Sequence, residues 1–122
     1  MPERRMATKH AITALGALAQ ESRLAVFRLL VERGPEGLAA GAIGEKLKIA
    51  APTLSFHLQQ LMHADLIEQR RESRSLIYSA NFANMNALLG YLTENCCGGR
   101  ACAPDARSGK EAKLDARDRR SA

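Results

Sequence analysis

Three cysteines, Cys96, Cys97 and Cys102, stand within seven residues of one another and are all the thiols of the 122-residue chain. Thiolates are soft donors, and trivalent arsenic or antimony binds three sulfurs in a pyramid with a lone pair at the apex. Three clustered thiols with no other convergent ligand match that coordination number. Gly98 and Gly99 let the backbone fold so that Cys102 can return toward the adjacent pair. Other chemistries stay open for the same residues. Zinc or cadmium usually takes four ligands, with Glu94, Asp105, water or a second subunit as the fourth. Closure of Cys102 onto Cys96 or Cys97 would make a redox switch, whereas adjacent cysteines bond to each other only with strain. Incidental thiols in a loose tail are the bland alternative, and three together with none elsewhere argue against it.

A second set of residues suits a polyanion. Pro52, Thr53, Ser55, Phe56, His57 and Gln59 fall on one apolar-periodic segment. Hydroxyls can bond to bases or phosphates, a Gln amide can pair with adenine, and Phe can meet a thymine methyl group; taken alone, the set reads equally well as an ordinary solvated helix face. His57 is assigned to the same set, bracing the segment or meeting DNA backbone. Arg70, Arg71 and Arg74 follow closely, and their guanidinium groups can clamp phosphates or enter a minor groove. Glu68 and Glu72 dilute that charge, so a plain exposed hairpin is the competing interpretation.

The elements that must position these residues follow from periodicity. Ile12, Leu15, Leu18 and Ala19 recur at helical spacing and predict a helix over residues 8–20. Ser22 is placed to cap a second, rich in Leu24, Val26, Phe27, Leu29, Leu30 and Val31, that ends at Gly34-Pro35. A third helix is expected over residues 38–47 with Ile43 and Leu47 inward. Pro52 opens a fourth, ending near Ala64, in which Leu54, Leu58 and Leu61 must face the core. Leu66-Ile67-Glu68-Gln69-Arg70 and Ser75-Leu76-Ile77-Tyr78-Ser79 read as strands joined by Arg71-Glu72-Ser73-Arg74. A last helix is expected over residues 82–93. The class is mainly α with a β-hairpin, and a hairpin directly after a helix-turn-helix is a wing.

Composition limits the rest. Eighteen Lys and Arg against 13 Asp and Glu give a net charge of +5, favouring a polyanionic partner. No apolar run approaches the ~20 residues needed to cross a bilayer, so no membrane is expected and a cytoplasmic location is. No nucleophile motif, phosphate-cradling Gly loop or paired acids suggest an enzyme. Residues 1–95 read as the DNA-binding domain, 96–102 as the thiol segment and 103–122 as a tail without apolar pattern.

Ala19-Gln20-Glu21-Ser22-Arg23-Leu24, Thr53-Leu54-Ser55-Phe56-His57-Leu58 and Arg70-Arg71-Glu72-Ser73-Arg74-Ser75-Leu76-Ile77-Tyr78, in that order, resemble the ArsR/SmtB family of metal-responsive repressors. The resemblance covers roughly residues 8–92. It implies a winged helix-turn-helix homodimer joined through its first and last helices, binding operator double-stranded DNA and leaving it when an inducer binds. The chain has no Cys before Asn95, which excludes the Cys-x-Cys site of enterobacterial arsenic sensors. It has no His or Asp over residues 82–94, which excludes the Asp-x-His site of zinc sensors. The thiols at 96, 97 and 102 resemble those of arsenite-responsive members with a C-terminal three-cysteine site. As(III) is therefore the expected inducer, with Sb(III) close behind. A divalent-metal or thiol-redox repressor and a metal-buffering protein are the alternatives.

Overall fold

The computed structural model describes residues 6–99; the tail expected over 103–122 lies outside them. Helix α1 (Thr8–Leu18) and helix α2 (Glu21–Arg33) are joined through a bend at Ala19 and Gln20. Gln20, not Ser22, caps α2: its side-chain oxygen accepts from the backbone N–H of Arg23 at 2.9 Å. Ser22 already lies inside the helix. A longer amide reaches the same orphan donor that a hydroxyl was expected to satisfy.

Gly34–Glu36 forms a 3-10 turn, and the chain then enters a two-residue strand β1 (Leu38–Ala39) where helix was expected. Helix α3 (Ala40–Leu47) starts two residues late because Leu38 and Ala39 pair antiparallel with Tyr78 and Ile77. Gly37 makes the approach possible. Its φ is +71°, and a Cβ there would press into the carbonyl oxygen of Tyr78 and stand 2.8 Å from a methyl carbon of Ile77, so only glycine fits.

Helix α4 (Ala51–His63) follows α3 across a tight turn, with Lys48 in the left-handed region at φ 58°. Gly44 lets the two helices close: its Cβ would lie 3.0 Å from Ile49 O and 3.4 Å from a Leu54 methyl group. Strands β2 (Ile67–Glu72) and β3 (Ser75–Ala80) form the hairpin, and the sheet order is β1-β3-β2. The register runs from Ile67 opposite Ala80 to Glu72 opposite Ser75. The loop is therefore only Ser73 and Arg74, shorter than the four-residue connection expected. Helix α5 (Phe82–Leu92) completes the series, its first turn capped by Asn81, whose side-chain oxygen accepts from Asn84 N.

The core is built where the periodicity put it. Val26, Leu30, Ile43, Leu61 and Leu66 are fully buried, with Leu54 and Leu58 close to it; each such side chain contributes about 1.5–3 kcal/mol relative to exposure. Helix α1 differs. It buries Ala11 and Ala14 and packs Leu18 against the core, but leaves Ile12 65% and Leu15 41% exposed, so those two large apolar residues do not serve this chain's own core. Among the described residues the chain divides into two units, one through Tyr91 and one from Leu92. None of the described helices is long and apolar enough to cross a membrane.

Candidate nucleic-acid interface and thiol segment

On α4 the buried stripe of Leu54, Leu58 and Leu61 fixes which way the opposite face looks. Pro52, Thr53, Ser55, Phe56, Gln59 and Gln60 are all exposed. Phe56 stands out at 54% exposure, since leaving an aromatic ring in water is costly unless something covers it. The helix starts without a side-chain cap, Pro52 occupying its first turn, where its missing N–H is harmless. The uncapped N–H groups of that turn and the hydroxyls of Thr53 and Ser55 together present donors at one end of the helix.

His57 is not on that face. It is 7% exposed, and its Nδ1 lies 3.3 Å from a terminal nitrogen of Arg23 on α2. Burial, and then the charge of Arg23, lower its pKa below the ordinary histidine value. A neutral ring is what the geometry requires, because only an unprotonated Nδ1 can accept from a guanidinium. His57 thus braces α4 from within, and its place among direct DNA contacts is corrected. Sequence reasoning misses Arg23. It lies 34 positions away in the chain, and nothing local in the sequence connects the two.

The three wing arginines separate in the same way. Arg70 donates to Pro35 O at 3.1 Å, to Glu36 O at 2.8 Å and to the Glu72 carboxylate at 2.9 Å. Its guanidinium is engaged in fastening β2 to the 3-10 turn, a tie that competes with the phosphate clamp expected of it. Arg71, at the hairpin end of β2, and Arg74, in the two-residue loop, are exposed. Among the described residues no ion pair engages either of them.

The thiol segment begins in a second 3-10 turn, Cys96–Gly99, with Cys97 in the left-handed region at φ 57° and Gly98 following at φ 67°. The turn is closed by backbone bonds from Cys96 N to Thr93 O and from Gly98 N to Asn95 O, both 2.9 Å. Both thiols are exposed, and their sulfurs stand 3.7 Å apart. Two thiolate–metal bonds of about 2.3 Å, the length seen on zinc, span that gap around one ion. Cys102 lies outside the described residues. Among those that are described, no three His, Cys, Asp or Glu side chains are grouped to hold a metal ion.

Comparison with known proteins places these features. A family profile described as a helix-turn-helix domain matches residues 18–70. The chain is 30% identical over 93 residues to the nodulation protein NolR of Rhizobium meliloti, covering 76% of this chain and 74% of NolR. It is 44% identical over 59 residues to YceK of Bacillus subtilis, described as an uncharacterized HTH-type transcriptional regulator. That match covers 48% of this chain and 58% of YceK. Among solved structures, HlyU from Vibrio cholerae superposes with a TM-score of 0.59 at 26% identity, covering 75% of this chain and 99% of HlyU. A homodimeric winged helix-turn-helix DNA-binding domain from Mycobacterium bovis, described as a possible ArsR-family regulator, gives 0.57 at 26%, covering 75% and 85%. The transcriptional repressor BigR from Xylella fastidiosa also gives 0.57 at 26%, covering 78% and 91%.

Proposed function

The chain belongs to the ArsR family of winged helix-turn-helix transcriptional regulators, and from that premise we propose a homodimeric repressor released from operator DNA when trivalent arsenic, or antimony, binds Cys96, Cys97 and Cys102. Its relatives are DNA-binding regulators and not enzymes. The observation that carries the inducer is the pair of exposed sulfurs 3.7 Å apart. They offer two of the three donors that a pyramidal arsenic centre takes.

Homodimerisation draws on the exposed apolar residues of the first and last helices. Ile12 and Leu15 on α1, and Leu89 and Leu92 on α5, each have 41% or more of their surface in water. A second copy seated on them takes that exposed apolar surface out of water. Such a dimer sets two α4 helices in successive major grooves about one turn (~34 Å) apart on an imperfect palindrome. Thr53, Ser55, Phe56 and Gln59 then meet base edges, and Arg71 and Arg74 meet backbone. Repression is the sign described for BigR, whereas HlyU is described as an activator. A dimer seated across a promoter excludes polymerase without needing any other partner, which favours repression. Binding of arsenic draws the thiols together beyond α5. The inducer then favours a dimer geometry that fits DNA poorly, with a coupling of roughly 1–3 kcal/mol.

One observation favours a second reading. A solved form of HlyU is described as reduced, and close, exposed thiols are also the substrates of oxidants. The test is fluorescence anisotropy of the reduced full chain on DNA from its own upstream region, titrated with arsenite, antimonite, zinc, cadmium and hydrogen peroxide. Release by arsenite and antimonite near one equivalent per protomer, abolished in the triple Cys→Ser variant, is the expected result. Release by peroxide alone, reversed by dithiothreitol, moves the assignment to a redox sensor. Release by zinc or cadmium alone moves it to a divalent-metal sensor.

A further inference from the structure

Arg23 holds three elements at once. Its backbone N–H donates to the cap Gln20 at 2.9 Å, its Nε donates to Ala17 O in the last turn of α1 at 2.7 Å, and its Nη1 faces His57 Nδ1 on α4 at 3.3 Å. The bond to α1 is short and directed at a carbonyl that the end of a helix leaves without an intrahelical partner. The bond to α4 falls in the middle of the reading helix, between exposed Phe56 and exposed Gln59. Helices α1, α2 and α4 also touch pairwise. A guanidinium is suited to this work because its donors point in fixed, divergent directions from one plane.

We propose that Arg23 and His57 are positioning residues forming a clasp that sets the rotation of α4 against α1, and so transmits the arrangement of the dimer helices to the DNA-reading face. The inference rests on the reading of α1 as a dimer helix and α4 as the reading helix. Rotation of α4 about its own axis re-aims Ser55, Phe56 and Gln59 together, because all project from one rigid helix. Leu54, Leu58 and Leu61 fix which face of α4 is buried, but apolar contacts are non-directional and constrain small rotations less closely than a directed bond does. A directed hydrogen bond resists it more sharply. Neutral His57 accepts from Arg23, and a ring without that acceptor leaves a half-buried guanidinium short of a partner.

The test uses the full chain on its own upstream DNA, with affinities expressed per active dimer from stoichiometric titration. H57L is expected to weaken operator binding about tenfold, the low end of the effect of losing a hydrogen bond to a charged group. H57N, whose amide oxygen sits near the place of Nδ1, is expected to recover most of that affinity. R23K keeps the charge but cannot span both acceptors, and is expected to bind more weakly than wild type. In all three, the dependence of log Kobs on log salt keeps its wild-type slope and the dimer dissociation constant is unchanged. The double variant R23M/H57L binds no worse than the weaker of its two single variants, as expected for residues acting as a unit. A drop in salt slope of about 0.9 per protomer for H57L would make His57 a direct phosphate ligand and overturn the clasp. Wild-type affinity in H57L, or additive losses in the double variant, also overturns it. Wild-type protein that shows no salt-sensitive operator binding overturns the functional reading and the clasp together.

Discussion

The guanidinium of Arg70 is already held by Pro35 O, Glu36 O and the Glu72 carboxylate, while Arg71 and Arg74 project into solvent. The three are indistinguishable in the sequence, where charge type and proximity are visible but acceptors brought from residues 35 and 36 are not. The difference is measurable by salt titration. Alanine at Arg71 or Arg74 should make the slope of log Kobs against log salt shallower by about 0.9 for each phosphate no longer neutralised, hence about 1.8 for a dimer. Alanine at Arg70 should lower affinity by loosening the wing while leaving that slope unchanged. His57 makes a second residue-scale case. The spacing of Leu54, Leu58 and Leu61 is legible, yet the same helical geometry also turns position 57 toward the interior. Its polar ring disguises that. Because the folded protein holds His57 below its ordinary pKa, the unfolded chain binds the proton more readily. Stability is therefore full above the unfolded value near 6.5 and falls as pH drops from there through the folded value. Thermal melts of wild type between pH 7.5 and 5 should show this loss, and H57N should flatten that part of the profile.

At the scale of elements, the strands and helices with several periodic residues are legible in the sequence and the shortest one is not. Leu38 and Ala39 continue the apolar pattern of α3 and carry no alternation of their own. They become β1 only because β3 lies alongside, a partner about forty residues away. Gly37 is the local sign of that joint, but one glycine after Gly34-Pro35 reads equally well as part of a helix stop. Its substitution tests the joint directly. In G37A the new Cβ runs into Tyr78 O with φ at +71°, so β1 must leave the sheet or the backbone must bear strain. A loss of about 1–3 kcal/mol is expected, read as a lower denaturant midpoint with an unchanged m-value. The wing should suffer with it, because Arg70 draws its acceptors from Pro35 and Glu36 in the same connection. DNA affinity of the folded fraction should then fall as in the Arg70 variant, with the salt slope preserved.

The whole molecule poses a problem of charge. Residues 6–99 carry nine Lys and Arg against eight Asp and Glu, a net of +1 out of the chain's +5. A body so nearly neutral gains little from long-range attraction to DNA, so its affinity must come from docking two reading heads together. Ile12 is the natural place to test that. I12E puts a carboxylate on a residue 65% exposed, where the single-chain fold tolerates it. If the proposed dimer forms through α1, the variant is expected to sediment as a monomer where wild type sediments as a dimer, and to lose operator binding, since each half-site alone offers too small a surface. The remaining charge lies at the two ends of the sequence, with six basic and four acidic residues over 103–122. If that segment adds non-specific attraction, a chain ending at residue 102 should keep its three cysteines and its response to arsenite. Its affinity for unrelated duplex DNA should fall, and its salt slope should become shallower by about 2–4 for the dimer. Specific and non-specific affinity would then separate cleanly, the first carried by α4 and the wing, the second by the tail. Equal slopes for the full and shortened chains would instead assign all the phosphate neutralisation to the wing and α4, and would require Lys46 and Lys48 beside the turn into α4 to join Arg71 and Arg74.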